Sequence, residues 1–450
     1  MIRLFFLILF FLSVSIKLFS QNQSNIENKK RIEYLYNHQD WRQLIKVCSV
    51  KKDSIKKDSK TSFYLAISYY KLGKYRIANN YFDIAYKTDT SKFLKENYYT
   101  SLVLNDNIIE ARKLSDDITD SLLREKINVK KNTFVISISA LYGAFFSNDF
   151  DKNVTKNIND TIFNNIYRDK INQYFAGNIN LRLNSYYNLY LSYSNSNILK
   201  MQSVVLDTFN QDFNINCNEN NMFFKIKYNS LKTDWYVGLN LWDSQEKYHY
   251  FQYKDNDILK ATQYISKMSN YLFANGNYNF NYVSVGLNFG YGDLFYHKQV
   301  QLGLNFEYYP FANNDLVLYL FPTYIKTKNL YHKYYTINNL NNNSYYNNIE
   351  LITKLGCDVK LLDNFRFSAS ANFGGINILH KTPDFFIYDD FNDIRSLYEI
   401  KITYSIINNL SFFIYYSYSN QIHYYINNYS TNNSQLMSYQ SFMGGLKYNF

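Results

Sequence analysis

Histidines and cysteines are the residues best suited to proton transfer or nucleophilic attack, and this chain of 450 residues holds six of the first and three of the second. His297 comes closest to a catalytic setting. It lies in "GDLFYHK", four residues after Asp293, and a histidine oriented by a carboxylate can act as a general base in acyl transfer or hydrolysis. The other five, His38, His249, His332, His380 and His423, are scattered. A histidine in a polar segment is ordinarily solvated, so no catalytic residue is assigned and no enzyme is expected. Cys48, Cys217 and Cys357 are odd in number and far apart, which supports neither a disulfide framework nor a metal site. "GLNFGYG" (286–292) is not a phosphate-binding loop, because no helical pattern follows it. No cofactor is expected.

What remains is to ask which elements carry these residues. The chain has 48 Tyr and 36 Phe but only 3 Pro. Its first twenty residues, a basic start, an apolar run from Leu4 to Leu12 and small residues before Gln21, predict a signal peptide over 1–20; an uncleaved anchor is the competing reading. Beyond it no stretch of eighteen apolar residues occurs, which excludes a helical membrane protein. An exported, aromatic-rich chain of this kind is either soluble or a closed barrel.

From about residue 26 to 128 the pattern is helical. Leu65, Ala66, Tyr69 and Leu72 recur at three- and four-residue steps, Gly73 breaks the run, and Ala78, Phe82 and Ala85 mark a second apolar face. These positions resemble a tetratricopeptide repeat, with Ser62 and Thr90 departing from the usual Trp and Pro. Leu44 and Cys48, and later Ala111, mark weaker copies. The resemblance implies a concave groove lined by Phe63, Ile67, Tyr70 and Lys71, suited to a periplasmic protein or peptide partner.

Between Val129 and Asn132 the period changes to two. In "FAGNINLRL" (175–183) apolar Phe175, Ile179 and Leu181 alternate with Asn178, Asn180 and Arg182; "YEIKITYSI" (398–406) opposes Tyr398, Ile400 and Ile402 to Glu399, Lys401 and Thr403. Such strands repeat to the end of the chain. Short links ("PFANND", "LLDN", "INN") alternate with long polar ones at 148–170, 197–219, 243–261, 326–347, 375–395 and 419–434. One face greasy, the other rich in Asn, Ser and Gly, and turns of alternating length define a membrane barrel better than a soluble sandwich. The expected fold is therefore an N-terminal helical repeat (21–131) followed by an antiparallel transmembrane β-barrel (132–450) of about fourteen strands, twelve to sixteen given the ambiguous stretch 262–282. Inward Tyr190, Tyr236 and Trp242 would narrow its lumen.

The last strand, "MGGLKYNF", sets Phe442, Leu446, Tyr448 and Phe450 on one face. Gly445, Tyr448 and Phe450 resemble the C-terminal assembly signal of outer-membrane barrels, which implies the barrel-assembly machinery as a partner. The whole arrangement resembles the YaiO-type outer-membrane barrel proteins of Bacteroidetes-like bacteria. That resemblance implies an outer-membrane location, lipid contact and a periplasmic helical arm, without a defined activity. Residues 21–131 carry 22 basic and 14 acidic side chains and the rest of the mature chain 24 and 23, so the basic excess belongs to the arm. Nucleic acid is a poor partner for an exported chain. The preferred expectation is a non-enzymatic barrel whose arm docks a partner; the alternatives are a solute channel, and a barrel that binds ligands or modifies lipid through its long loops.

Overall fold

A computed structural model describes residues 27–49, 58–126, 134–147, 164–184, 186–206, 209–254, 257–294, 297–329, 347–380, 387–407, 409–424, 426–427 and 434–450. The expected signal peptide over 1–20 and the change of period at 129–132 lie outside these. The chain divides into two compact units, one helical and one of strands.

The described residues of the helical unit form seven helices: α1 (residues 27–37), α2 (Trp41–Ser49), α3 (Ser59–Lys71), α4 (Tyr75–Tyr86), α5 (Lys92–Leu104), α6 (Ile108–Asp116) and α7 (Ser121–Lys126). Side chains at the helix starts satisfy backbone donors that would otherwise go unpaired: Asp40 accepts from the Gln43 N–H, Ser91 from Leu94 and Asp120 from Leu123. Leu44, Cys48, Ala78, Phe82, Ala85 and Ala111 are all buried, as the helical periodicity requires. The turns reveal a repeat that the side chains only hint at. Gln39, Gly73 and Asp106 adopt positive φ (57°, 73° and 56°), spaced 34 and 33 residues apart. Each is followed by the same backbone bond: Asp40 N–H to Leu35 O, Lys74 N–H to Tyr69 O and Asn107 N–H to Leu102 O.

Left-handed backbone suits glycine and strains other residues by about 1 kcal/mol. A Cβ added at Gly73 would meet nothing within 4 Å, so the effect there is purely one of backbone conformation. Asp106→Gly is therefore expected to stabilise the helical unit, read as a higher melting temperature of its signal at 222 nm, and Gly73→Ala to destabilise it, each by about 1 kcal/mol. Equal melting of the two variants would contradict the shared turn geometry.

Burial also fixes how the unit responds to alkali. Burial lifts the Tyr98 hydroxyl well above its ordinary value, helped by Asp83 and Glu110. Tyr86 is pushed up to about 12 by burial and by Asp117, whose carboxylate accepts its hydroxyl at 3.1 Å. Burial raises the Cys48 thiol to about 11. Once unfolded, tyrosines release their protons near 10. The unfolded chain thus binds fewer protons than the folded one above that pH, and stability present below it is lost as the pH climbs towards 12. The helical signal should fall across pH 10–12; a flat helical signal up to pH 12 would refute this.

The second unit is a closed antiparallel barrel of fourteen long strands: β1 (Val135–Ser147), β2 (Asn164–Arg182), β3 (Tyr187–Leu206), β4 (Phe209–Asn229), β5 (Thr233–Lys254), β6 (Asp257–Asn279), β7 (Val283–Leu294), β8 (His297–Tyr308), β9 (Leu316–Asn329), β10 (Asn347–Leu362), β11 (Phe365–His380), β12 (Ile387–Ile407), β13 (Leu410–Tyr424) and β15 (Ser434–Asn449), with a two-residue β14 (Ile426–Asn427) paired to the start of β2. Every long strand pairs with the next long strand in sequence, so β13 pairs with β15, and β1 pairs with both β2 and β15. Closure leaves the wall no unpaired sheet edge at the depth of that seam. The ambiguous stretch 262–282 belongs to β6 up to Asn279.

Three of the expected long loops are not loops; one is 375–395, where β11 and β12 pair as far as His380↔Ile387. Pairing continues to Leu206↔Phe209 on β3–β4 and to Lys254↔Asp257 on β5–β6, so residues 197–219 and 243–261 are mostly ladder. Beyond Asp243↔Met268 the β5–β6 hairpin runs on for about 40 Å at roughly 3.3 Å per residue. Asn-rich segments read as loops by composition, but side-chain bonds between strands satisfy them here. Asn195 donates to Asn218 and Asn220 at 3.1 and 3.0 Å, and Asn218 to Asn197 at 2.8 Å.

Candidate functional site: the barrel wall and lumen

Alternation along each strand sorts side chains into two faces. On the outer face of β7, Val285, Leu287, Phe289 and Tyr291 are exposed; on β8, Val300, Leu302, Leu304, Phe306 and Tyr308. The stretch from Val283 to Tyr291 spans nine residues, the length needed by a tilted strand to cross hydrocarbon. Both limits of this band are visible. At the short-turn rim Tyr187, Tyr228 and Trp235 pack ring to ring at 5.3–5.8 Å, Tyr278 meets Phe280 at 4.8 Å, and Tyr448 meets Phe450 at 4.9 Å. Such an aromatic girdle marks a membrane interface. At the other limit the outward residue turns polar strand after strand: Tyr193 gives way to Asn195, Met222 to Asn220, Leu241 to Asp243 and Tyr291 to Asp293.

The inner face is polar where the outer is greasy. Ser194, Ser196, Asn240, Ser269, Ser284, Gln299, Gln301, Asn305, Thr323, Asn372, Ser417 and Ser441 all point inward and are buried among their neighbours. Bonds run from strand to strand, as in Asn288 to Asn305 at 2.8 Å and Asn305 to Asn277 at 3.0 Å. Large rings lie among them. Tyr271 and Phe273 on β6 are almost fully buried, with Phe223 and Tyr236 packed against them. Gly290 and Gly292 make room for Tyr271, and Gly238 for Phe273; a Cβ at any of the three would collide with the ring. The inward glycines of "GLNFGYG" thus do not widen the lumen, because a neighbour's side chain fills the space they leave.

Several of the charges inside the wall are held by more than one strand at once. Glu399 on β12 accepts from the Tyr415 hydroxyl on β13, and from Ser370 at 2.8 Å and Asn372 at 3.5 Å on β11; Lys354 Nζ on β10 stands 3.6 Å away. Tyr415 belongs to an apolar cluster with Leu141, Tyr174 and Met443 across the closing seam. On the other side of the knot, Ile325, Ile352, Ile394 and Leu397 form a second cluster from β9, β10 and β12. Lys225 on β4 has its Nζ 4.4 Å from the Tyr190 ring and 5.2 Å from that of Tyr236, a cation–π arrangement. Lys200 pairs with Glu246 at 2.8 Å nearer the long-hairpin end. The inward positions of Tyr190, Tyr236 and Trp242 match the alternation, and Trp242 is buried. The alternation shows Glu399, Lys354 and Lys225 to be inward, but pairwise register, which no composition reveals, decides what each touches.

The other predicted residues fall as follows. Ile67 is 2% exposed, inside the helical unit. Phe63 is half-buried and ring-packed on Phe82 and Phe93; Tyr70 also meets Phe82, and Lys71 is exposed beside Tyr70. Gly445 sits opposite Leu141 and Phe413, Tyr448 opposite Ile138 and Leu410, and the Phe450 N–H donates to Ile136 O at 3.0 Å. His297 opens β8 opposite Leu294, with its side chain outside those described, as are the side chains of His380 and His423; His332 lies outside the described residues altogether. His249 Nδ1 is 3.1 Å from the Thr262 hydroxyl. Among the described residues no group of three or more His, Cys, Asp or Glu could hold a metal.

No protein-family model and no curated protein matches the chain. Solved structures that it is similar to include a FadL homologue of Pseudomonas aeruginosa (10% identity, 70% of this chain and 90% of that one, TM-score 0.42). Others are the toluene transporter TbuX of Ralstonia pickettii (6%, 71% and 90%, TM-score 0.44) and the translocator domain of the autotransporter NalP of Neisseria meningitidis (9%, 78% and 99%, TM-score 0.31). At these scores the likeness carries nothing about what this chain moves or binds.

Proposed function

We propose that the protein is a narrow solute channel of the outer membrane, with its helical unit held in the periplasm. One observation carries the reading: within the apolar band, the lumenal face is polar on strand after strand. A barrel serving only as an anchor has no need of so polar a lining. Tyr271, Phe273 and the cluster around Ile394 and Leu397 restrict the bore, so small solutes are admitted and large ones rejected. This ranks the channel above partner docking, which the sequence favoured. Docking by the arm is retained as a second role, supported by turns recurring every 33–34 residues, the period of tetratricopeptide units, and by the arm's basic excess. An acidic peptide is the partner this charge suits, with Lys71 and Tyr70 the groove residues nearest the surface.

Swelling of vesicles that contain the purified protein tests the channel. Monosaccharides should enter and long oligosaccharides should not, and deletion of residues 27–126 should leave entry unchanged. Vesicles that exclude every solute while holding folded barrel would overturn the proposal.

A further inference from the structure

Where the outer wall leaves the apolar band at its long-hairpin limit, most strands present uncharged or acidic residues, such as Gln173, Asn195, Asn220, Asp243, Asn270 and Asp293. Two neighbouring strands differ. On β8, Val300 is followed outward by Lys298; on β9, Tyr324 is followed by Lys326 and then Lys328. All three lysines are exposed, while Gln299, Thr323, Ile325 and Thr327 between them are buried on the inner face. The register puts Lys298 directly opposite Lys328, and sets Lys326 between Val300 and Ile349. Like charges across a strand pair repel, so this pairing costs stability in the isolated barrel. Asp293 on β7 stands opposite Lys298. The exposed rings of Tyr291 and Tyr324 lie just below, at interface depth.

We infer that Lys298, Lys326 and Lys328 bind the phosphate groups of an outer-leaflet glycolipid. The inference rests on the reading that the apolar band lies in a bilayer. Three features select a lipid over a soluble anion. The lysines point away from the lumen and stand within one or two residues of the greasy band. Tyr324, Val300 and Ile349 offer acyl chains a surface continuous with the cations. Lys298 and Lys328 face each other in the register, so a doubly charged headgroup between them meets two cations at once.

The test uses the full chain purified in a neutral detergent and incubated with bisphosphorylated lipid A or its dephosphorylated counterpart, with bound lipid counted by native mass spectrometry. The phosphorylated lipid should be retained and the dephosphorylated one lost. Changing all three residues (K298Q, K326Q and K328Q) should weaken retention about a hundredfold, from roughly fivefold per lysine at a membrane surface. Arginine at the three positions should restore it, and Lys232→Gln at the opposite rim should change nothing. Equal retention of both lipids, unchanged binding by the triple variant, or displacement by millimolar inorganic phosphate would each overturn the inference. Heat-modifiable migration of the same samples reports separately on the barrel: wild-type protein that never shows a folded band contradicts the bilayer reading itself.

Discussion

Gly445→Val is expected to abolish barrel closure, leaving only the slow, heat-denatured band on a gel run without boiling. Gly445 lies in β15 between β1 and β13, on the lumenal side of the seam. A Cβ there would run into the carbonyl oxygen of Ala140 and the ring of Phe413, and backbone oxygen cannot move aside without breaking the β1–β15 ladder. Its neighbour supplies the control. Gly444 faces outward, and an added Cβ would come no nearer than 3.8 Å to the Phe413 oxygen. Gly444→Val should therefore fold and migrate like the wild type. Because the two positions are adjacent, the contrast separates seam geometry from glycine content or strand propensity. If both variants fold, the seam is not set as described.

The second large effect concerns Glu399. Glu399→Leu removes the carboxylate that ties together Lys354, Ser370, Asn372 and Tyr415 at the depth of the band, next to outward Tyr398 and Ile400. Breaking a buried pair by deleting one partner costs about 3–5 kcal/mol, mostly the cost of leaving the other charge uncompensated. Unfolding from vesicles in urea should shift by that amount. Adding Lys354→Met to the same chain should recover most of the loss, since replacing both partners leaves no stranded charge. A single variant as stable as the wild type would show that Glu399 is held by water rather than by its neighbours.

Strand alternation made the barrel legible in the sequence. "YEIKITYSI" and "WYVGLNLW" assign inner and outer faces without any coordinates, because a one-residue slip would put charge into hydrocarbon. Composition misleads above the band: the Asn and Ser residues of 197–219 look like a loop, yet Asn195, Asn197, Asn218 and Asn220 satisfy one another across a ladder. In the helical unit Ala78 and Phe82 announce the second helix of a pair. The turns at Gln39 and Asp106 were hidden, since neither residue is the glycine that marks left-handed backbone at Gly73. The lumen was the least legible part. That Glu399 faces inward follows from alternation, but that it meets Lys354 two strands away depends on register, which is set by hairpin lengths rather than by residue type. The space left by Gly290 is occupied by Tyr271, which leans across from β6.

Single-channel recording across a planar bilayer tests the central claim most directly. Purified wild-type protein should give small, discrete current steps, and larger ones when Ile394 and Leu397 are both changed to alanine, because that cluster occupies the lumen. Bilayers that stay electrically silent with both proteins, each shown by heat-modifiable migration to be a folded barrel, would contradict it.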